Sequence, residues 1–166
     1  EPVGYPAHEA AALALGASLA LLGRSAEALP LLEEAVALGP ARGTITLIGL
    51  AELARLALQE GMPEEAERHI ARGLGLAREL GLEEWAGHAA LLSVAAERAP
   101  AGDGRAHLER ALPLLVRGAP YPWCSIRTLT SLGAAATAAH DLELAAGLLG
   151  RARRELTRYP DAGILP

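Results

Sequence analysis

The 166-residue chain is 51% apolar, enough for a sizeable core, but only 3% of it is aromatic and Phe is absent, so Leu and Ala must build that core. A net charge of −5, from 15 basic and 20 acidic residues, argues against a general nucleic-acid footprint, which needs a basic face. Every basic residue is Arg, and the absence of Lys excludes both the phosphate-loop lysine of an NTPase and a Schiff-base lysine within this sequence.

Cys124 is the single cysteine, so no internal disulfide forms, and a reducing compartment fits. No uninterrupted apolar run reaches the roughly 18 residues that a membrane span needs. Residues 9–22 are apolar, but Gly16 and Ser18 interrupt them and no basic leader precedes them, which argues against a signal peptide. A cytoplasmic location without membrane contact is the expectation. The chain starts at Glu1 rather than Met and stops abruptly at Leu165-Pro166, so we expect a piece of something larger.

Residues 1–6 read as an irregular lead-in with two prolines and a glycine. A first helix is predicted from Ala7 to about Leu22, with Leu15, Leu19 and Leu22 on one stripe. Gly23 and Arg24 make a turn, Ser25 is the expected N-cap, and the second helix runs to Leu38, where Gly39-Pro40 stops it. Pro30 inside that helix should cost a hydrogen bond and bend it. The β-branched stretch from Thr44 to Ile48 is the one candidate strand, but Leu50, Leu53, Ala54 and Ala57 continue it at helical spacing. The third helix is therefore predicted over 44–60. Pro63 opens the fourth at the position where its missing N–H does no harm, with Glu64 and Glu65 suiting the dipole. Two more helices are predicted over 83–98 and 104–117, the latter kinked at Pro113. After the break at residues 118–122, the last two run from Trp123 to Ala139 and from Asp141, as cap, to Tyr159. Short connections pair the helices into hairpins at 7–38, 44–80, 83–117 and 123–158, and residues 159–166 read as a linker.

A repeat underlies these hairpins. Ala28, Leu32 and Ala35 return 38 residues on as Ala66, Ile70 and Gly73, then 38 further as Gly104, Leu108 and Ala111, then 41 further as Ala145, Leu149 and Ala152. Four copies of a small–large–small helix form the signature of a stacked array, in which no hairpin buries its apolar face alone. The spacing resembles the tetratricopeptide repeat: Leu15-Gly16, Gly23, Ala28, Leu32, Ala35 and Pro40 match its pattern in the first copy, and Leu132-Gly133, Ala145, Leu149 and Ala152 match it in the fourth. The second copy has Ala54 where the pattern has Gly, and in the third Leu92 and Ala99 replace both glycines. The period exceeds the family's, which is about 34. The resemblance implies an all-α, right-handed array of about four antiparallel helix hairpins.

The chain also resembles the helical-repeat region of MalT-like, LuxR-type bacterial transcription regulators. The residues that carry this are the Ala/Leu/Arg-rich hairpins with Ala51-Glu-Leu-Ala54, and the tail from Ala152 to Pro166. The resemblance implies a non-enzymatic sensor or protein-interaction domain. It would relay effector binding or self-association to an ATP-binding module and a helix-turn-helix, neither present in this sequence. The expected partners are other domains of the same protein, a small-molecule effector or peptide, and further copies of the chain; DNA would be contacted only through an absent domain. A free-standing adaptor that binds a peptide in its concave groove is the alternative.

By repeat register, the groove positions of the resembled family fall on Arg55, Gln59, Ser93, Glu97, Arg127, Thr130 and Thr137, and in the first hairpin on Ala10, Leu13, Ala17 and Leu21. The groove is thus expected to be apolar at one end and hydrogen-bonding at the other. Arg151, Arg154 and Arg158 form one stripe of the last helix and are candidates for contact with a downstream domain, although arginines at a helix C-terminus also complement its dipole. His69 and His107 share a register on neighbouring second helices, but zinc takes three or four ligands and no third is evident. Glu84 and His88 are spaced for a modest ion pair. Cys124 reads as a small buried thiol, and Trp85, Tyr121 and Trp123 as covers for helix ends. No catalytic residue, metal site or cofactor is expected.

Overall fold

A computed structural model describes residues 6–37, 43–99, 101–117 and 121–159. Among these the chain is all-helical, with eight α-helices and no strand. They are α1 (Pro6–Leu21), α2 (Ser25–Ala37), α3 (Gly43–Gln59), α4 (Pro63–Glu79), α5 (Ala86–Arg98), α6 (Ala101–Ala111), α7 (Pro122–Ala138) and α8 (Leu142–Arg158). A 3-10 segment, Leu112–Arg117, prolongs α6. No helix among the described residues is long and apolar enough to cross a membrane. The stops expected at Gly39-Pro40, most of the break after Arg117, the start of the lead-in and the tail beyond Tyr159 lie outside the described residues.

The stretch from Thr44 to Ile48 is helical, as its continuation predicts. Asp141 caps α8, accepting the Leu144 N–H at 3.1 Å. Three details differ from expectation. Ser25 is the first helical residue rather than the cap, and the Arg24 carbonyl takes the Ala28 N–H. Residues 83–85 form a turn ahead of α5, whose N-cap, Trp85, has an extended backbone. Pro113 does more than kink a helix: lacking an N–H to donate to the preceding turn, it lies in a stretch where the chain tightens to 3-10 geometry. Pro30, by contrast, sits within an uninterrupted α2.

One turn recurs. In each case the residue after a left-handed residue donates its N–H five positions back: Arg24 to Leu19, Met62 to Ala57, Leu82 to Ala77 and Asp141 to Ala136, at 2.8–2.9 Å. This is the Schellman closure of a helix. The left-handed residue is Gly23, Gly61 or Gly81, with φ of 64–72°, but His140 takes it in the last hairpin at φ 60°. A side chain there costs strain that glycine avoids.

Helices pack as consecutive pairs, and neighbouring pairs meet in a regular pattern. The first helices touch in series, α1 to α3 to α5 to α7, and each second helix also touches the next first helix, α2 to α3, α4 to α5 and α6 to α7. Burial follows. Every residue from Thr46 to Ala57 in α3 and from Gly87 to Ala96 in α5 is buried, whereas α4 buries only Ala66, Ile70, Gly73 and Ala77. The first helices form an inner layer, and the amphipathic second helices cover it.

Small residues set the spacing. A Cβ on Gly16 or Gly133 would lie 2.9 Å from Leu32 or Leu149 respectively, and one on Gly73 would lie 2.6 Å from Leu91. On Gly104 it would meet the Ala96 carbonyl oxygen at 2.8 Å. All the small–large–small positions are buried except Leu149, which packs on Gly133 yet stays 43% exposed. It therefore does not fill a closed gap, because α8 is the last described helix and none of the others lies on its outer side.

Leu32 is fully buried against Gly16, so Leu32→Ala should cost about 2–5 kcal/mol. Leu149→Ala, open to water on one side, should cost clearly less. Urea unfolding of both variants checks the contrast.

Candidate functional site

The most unusual feature of the inner layer is a charged cluster. Glu52 and Arg55 sit within the fully buried stretch of α3, with side chains 0% and 8% exposed. Arg55 Nη1 donates to Glu52 Oε1 at 2.6 Å, and Nη2 donates to Ser93 Oγ on α5 at 2.8 Å. Ser93 Oγ in turn donates to the Ala90 carbonyl at 2.7 Å. From α7, Arg127 Nη2 approaches the other carboxylate oxygen, Glu52 Oε2, at 3.1 Å, and its side chain is 11% exposed. One carboxylate thus serves two guanidinium groups from helices on either side of α5.

The pairing is incomplete. Arg55 Nε and Arg127 Nη1 are buried without an acceptor, and Glu52 Oε2 accepts no well-directed hydrogen bond. Burial lowers the Arg127 pKa, Arg55 adds to that, and Glu52 opposes it. Guanidinium remains charged in proteins, so Arg127 is a cation here. Cys124, buried on α7 beneath the cluster, has its thiol pushed up to about 12, mainly by burial and then by Glu52. It stays protonated at neutral pH, and the thiolate is the reactive form.

Above the cluster opens a groove of about 490 Å³ across the first helices. Leu21, Leu58 and Ile126 form its apolar wall; Arg55, Gln59, Glu97, Arg127, Thr130 and Ser131 supply its polar groups. Of the residues expected in a groove, Arg55, Gln59, Glu97, Arg127 and Thr130 come together here, and Ser93 joins them through Arg55. Thr137 is not among the lining residues; its hydroxyl donates to the Gly133 carbonyl of its own helix. The expected apolar end reduces to Leu21, because Leu13 and Ala17 are buried in the core and Ala10 does not line the groove. Glu52, the centre of the cluster, was not picked out from the sequence. Its signal was an acid three residues before an arginine inside an apolar run, a spacing that puts both on one helical face.

The remaining candidates are dispersed. Arg151 donates to the Leu115 carbonyl at 2.8 Å, so it is tied within the chain. Arg154 and Arg158 are exposed, the latter 5.4 Å from the Tyr159 ring centroid. Tyr121 stacks on Trp123 at 5.8 Å, and Trp123 is buried. Trp85 covers little, being 56% exposed. His88 Nδ1 lies 2.7 Å from the Glu83 carbonyl oxygen. His69 Nε2 lies 3.2 Å from Glu65 Oε1, and its pKa is lowered by burial, then by Arg72 and Arg68. His69 also lines a second cleft, of about 390 Å³, between α2, α3 and α4. Among the described residues no three or more His, Cys, Asp or Glu side chains are placed to hold a metal ion.

No protein-family model matches the chain, and neither the curated proteins nor the solved structures hold a match to it.

Glu52→Gln keeps the shape of the side chain but leaves two buried guanidiniums without a countercharge. It should cost roughly 3–5 kcal/mol in urea unfolding. Glu97→Gln, on the exposed rim, should stay within about 0.5 kcal/mol.

Proposed function

We propose that this chain is a tetratricopeptide-like, right-handed helical array that works as a cytoplasmic, non-enzymatic sensor domain, holding an effector in the groove of its inner helices. The observation that carries the reading is convergence. Arg55 and Gln59 of α3, Glu97 of α5, and Arg127, Thr130 and Ser131 of α7 meet around one groove of about 490 Å³ with an apolar wall. Pockets for small ligands have this size and this mix of apolar surface with a few convergent polar groups. The serial contact of first helices, each backed by a second helix, is what a stacked repeat array requires. The sequence resemblance to MalT-like, LuxR-type regulators supports placing this array between an ATP-binding module and a helix-turn-helix. In that setting, occupancy of the groove, or self-association of the array, would be relayed to those domains.

A non-catalytic role fits the chemistry of the groove. Each guanidinium pairs with the buried Glu52 carboxylate, and the nearby thiol is held protonated.

The reading is tested by NMR titration of the chain with a panel of sugars, amino acids, organic acids and short peptides. At least one member should shift the amides of Thr130 and Ser131 saturably, and Ser131→Trp, which fills the groove, should abolish the shift. A panel that moves no groove amide, or moves only the cleft between α2 and α4, would contradict it.

A further inference from the structure

We infer that the groove takes its ligand by a single carboxylate carried on an apolar body, and that Arg127 is the group that receives it. This rests on the groove reading above and adds the chemistry of the ligand.

The argument begins with charge. Beneath the groove, Arg55 and Arg127 contribute two positive charges and Glu52 one negative. Burying an uncompensated charge is costly. The acid that lines the groove, Glu97, is exposed and acts on Arg127 only through space. The floor is therefore one negative charge short, and water screens the acid at the rim that offsets this. A monoanion makes up the difference. A second negative charge on the ligand would find no further cation among the residues that line the groove.

Hydrogen bonding points the same way. Arg127 Nη1 and Arg55 Nε are buried N–H groups without acceptors on residues that line the groove. Arg127 lines the groove and keeps 11% of its side chain open, so its guanidinium is partly accessible from the groove. Gln59 is a further donor within the groove. The Thr130 hydroxyl already donates to the Ile126 carbonyl at 2.8 Å and offers only its lone pairs. The strongest unmet demand is for an acceptor, and an ionised acceptor binds guanidinium about twice as strongly as a neutral one. Leu21, Leu58 and Ile126 then offer the rest of the ligand an apolar wall and no further charge.

Glu97 has a distinct part in this scheme. It competes with the ligand for the field of Arg127, so removing its charge should tighten binding. A purely structural role for the cluster makes no such demand.

The test uses the chain with octanoate as probe and octanamide as its neutral counterpart, followed at the Thr130 and Ser131 amides. Octanoate should bind saturably and at least about tenfold more tightly than octanamide, a gap of about 1.4 kcal/mol. Added salt should weaken octanoate binding and leave octanamide binding unchanged. Arg127→Gln should erase the preference. Should that variant fail to fold, Glu97→Gln decides the matter, since its side chain is exposed: it should tighten octanoate several-fold and leave octanamide unaffected. Equal binding of acid and amide, no octanoate binding, or no effect of Glu97→Gln on octanoate overturns the inference. If octanoate fails while another compound of the wider panel still shifts the groove amides, only the carboxylate assignment falls and the sensor reading stands.

Discussion

A fully buried carboxylate shared by two arginines is the constraint around which the inner layer is arranged. Glu52 cannot be left unpaired where it sits, and both of its partners are committed to it: Arg55 from the next turn of α3, and Arg127 from α7. Helix α5 lies between, packing on α3 and on α7, and contributes Ser93 to hold Arg55. The ion pair therefore bridges two helices whose main packing partners include α5. Desolvating such a cluster is expensive, and its Coulomb attraction and hydrogen bonds offset that cost only with good geometry. Apolar residues would fill the same space more cheaply, so the cluster's presence needs a reason beyond stability. Arg55 Nε and Arg127 Nη1, buried without an acceptor among the described residues, belong to residues that line the groove.

The outer layer makes this arrangement feasible. Helices α4 and α8 bury a narrow stripe and leave the rest of their surface to water; α2 and α4 cover α3, α4 and α6 cover α5, and α8 covers α7. Close approach through Gly16, Gly73, Gly104 and Gly133 leaves little space between the layers. The larger groove opens across the first helices, and there Leu58 and Ile126 stand beside the arginines.

Much of this architecture was legible in the sequence, because it rests on local signals. Gly23, Gly61 and Gly81 close their helices with a left-handed residue, Asp141 caps the last one, and the small–large–small steps mark buried positions of each second helix except at Leu149. Residues one repeat apart share a face, Arg55 with Ser93 and Gln59 with Glu97, and Arg55, Gln59 and Glu97 line one groove. What escaped is what depends on distant partners. The burial of Glu52 is one such feature, because Arg127, which makes it tolerable, lies far along the chain. Leu13 and Ala17 were assigned to the groove by register, yet they are sealed into the core. Leu149 was expected to be as enclosed as Leu32, and the repeat pattern carries no mark of which helix stands at the edge of the described stack. His140 takes a turn position where glycine is the usual signal, so composition gave no hint of it.

The account stands or falls on whether Glu52 and Arg127 interact as a buried pair across α5. A double-mutant cycle of Glu52→Gln and Arg127→Gln, read by urea unfolding, measures this directly. A coupling of at least about 1.5 kcal/mol is the predicted result, as residues sharing one ion-pair network are non-additive. Additivity within about 0.3 kcal/mol would contradict the account, because Arg127 would then not be paired with the Glu52 carboxylate beneath the groove.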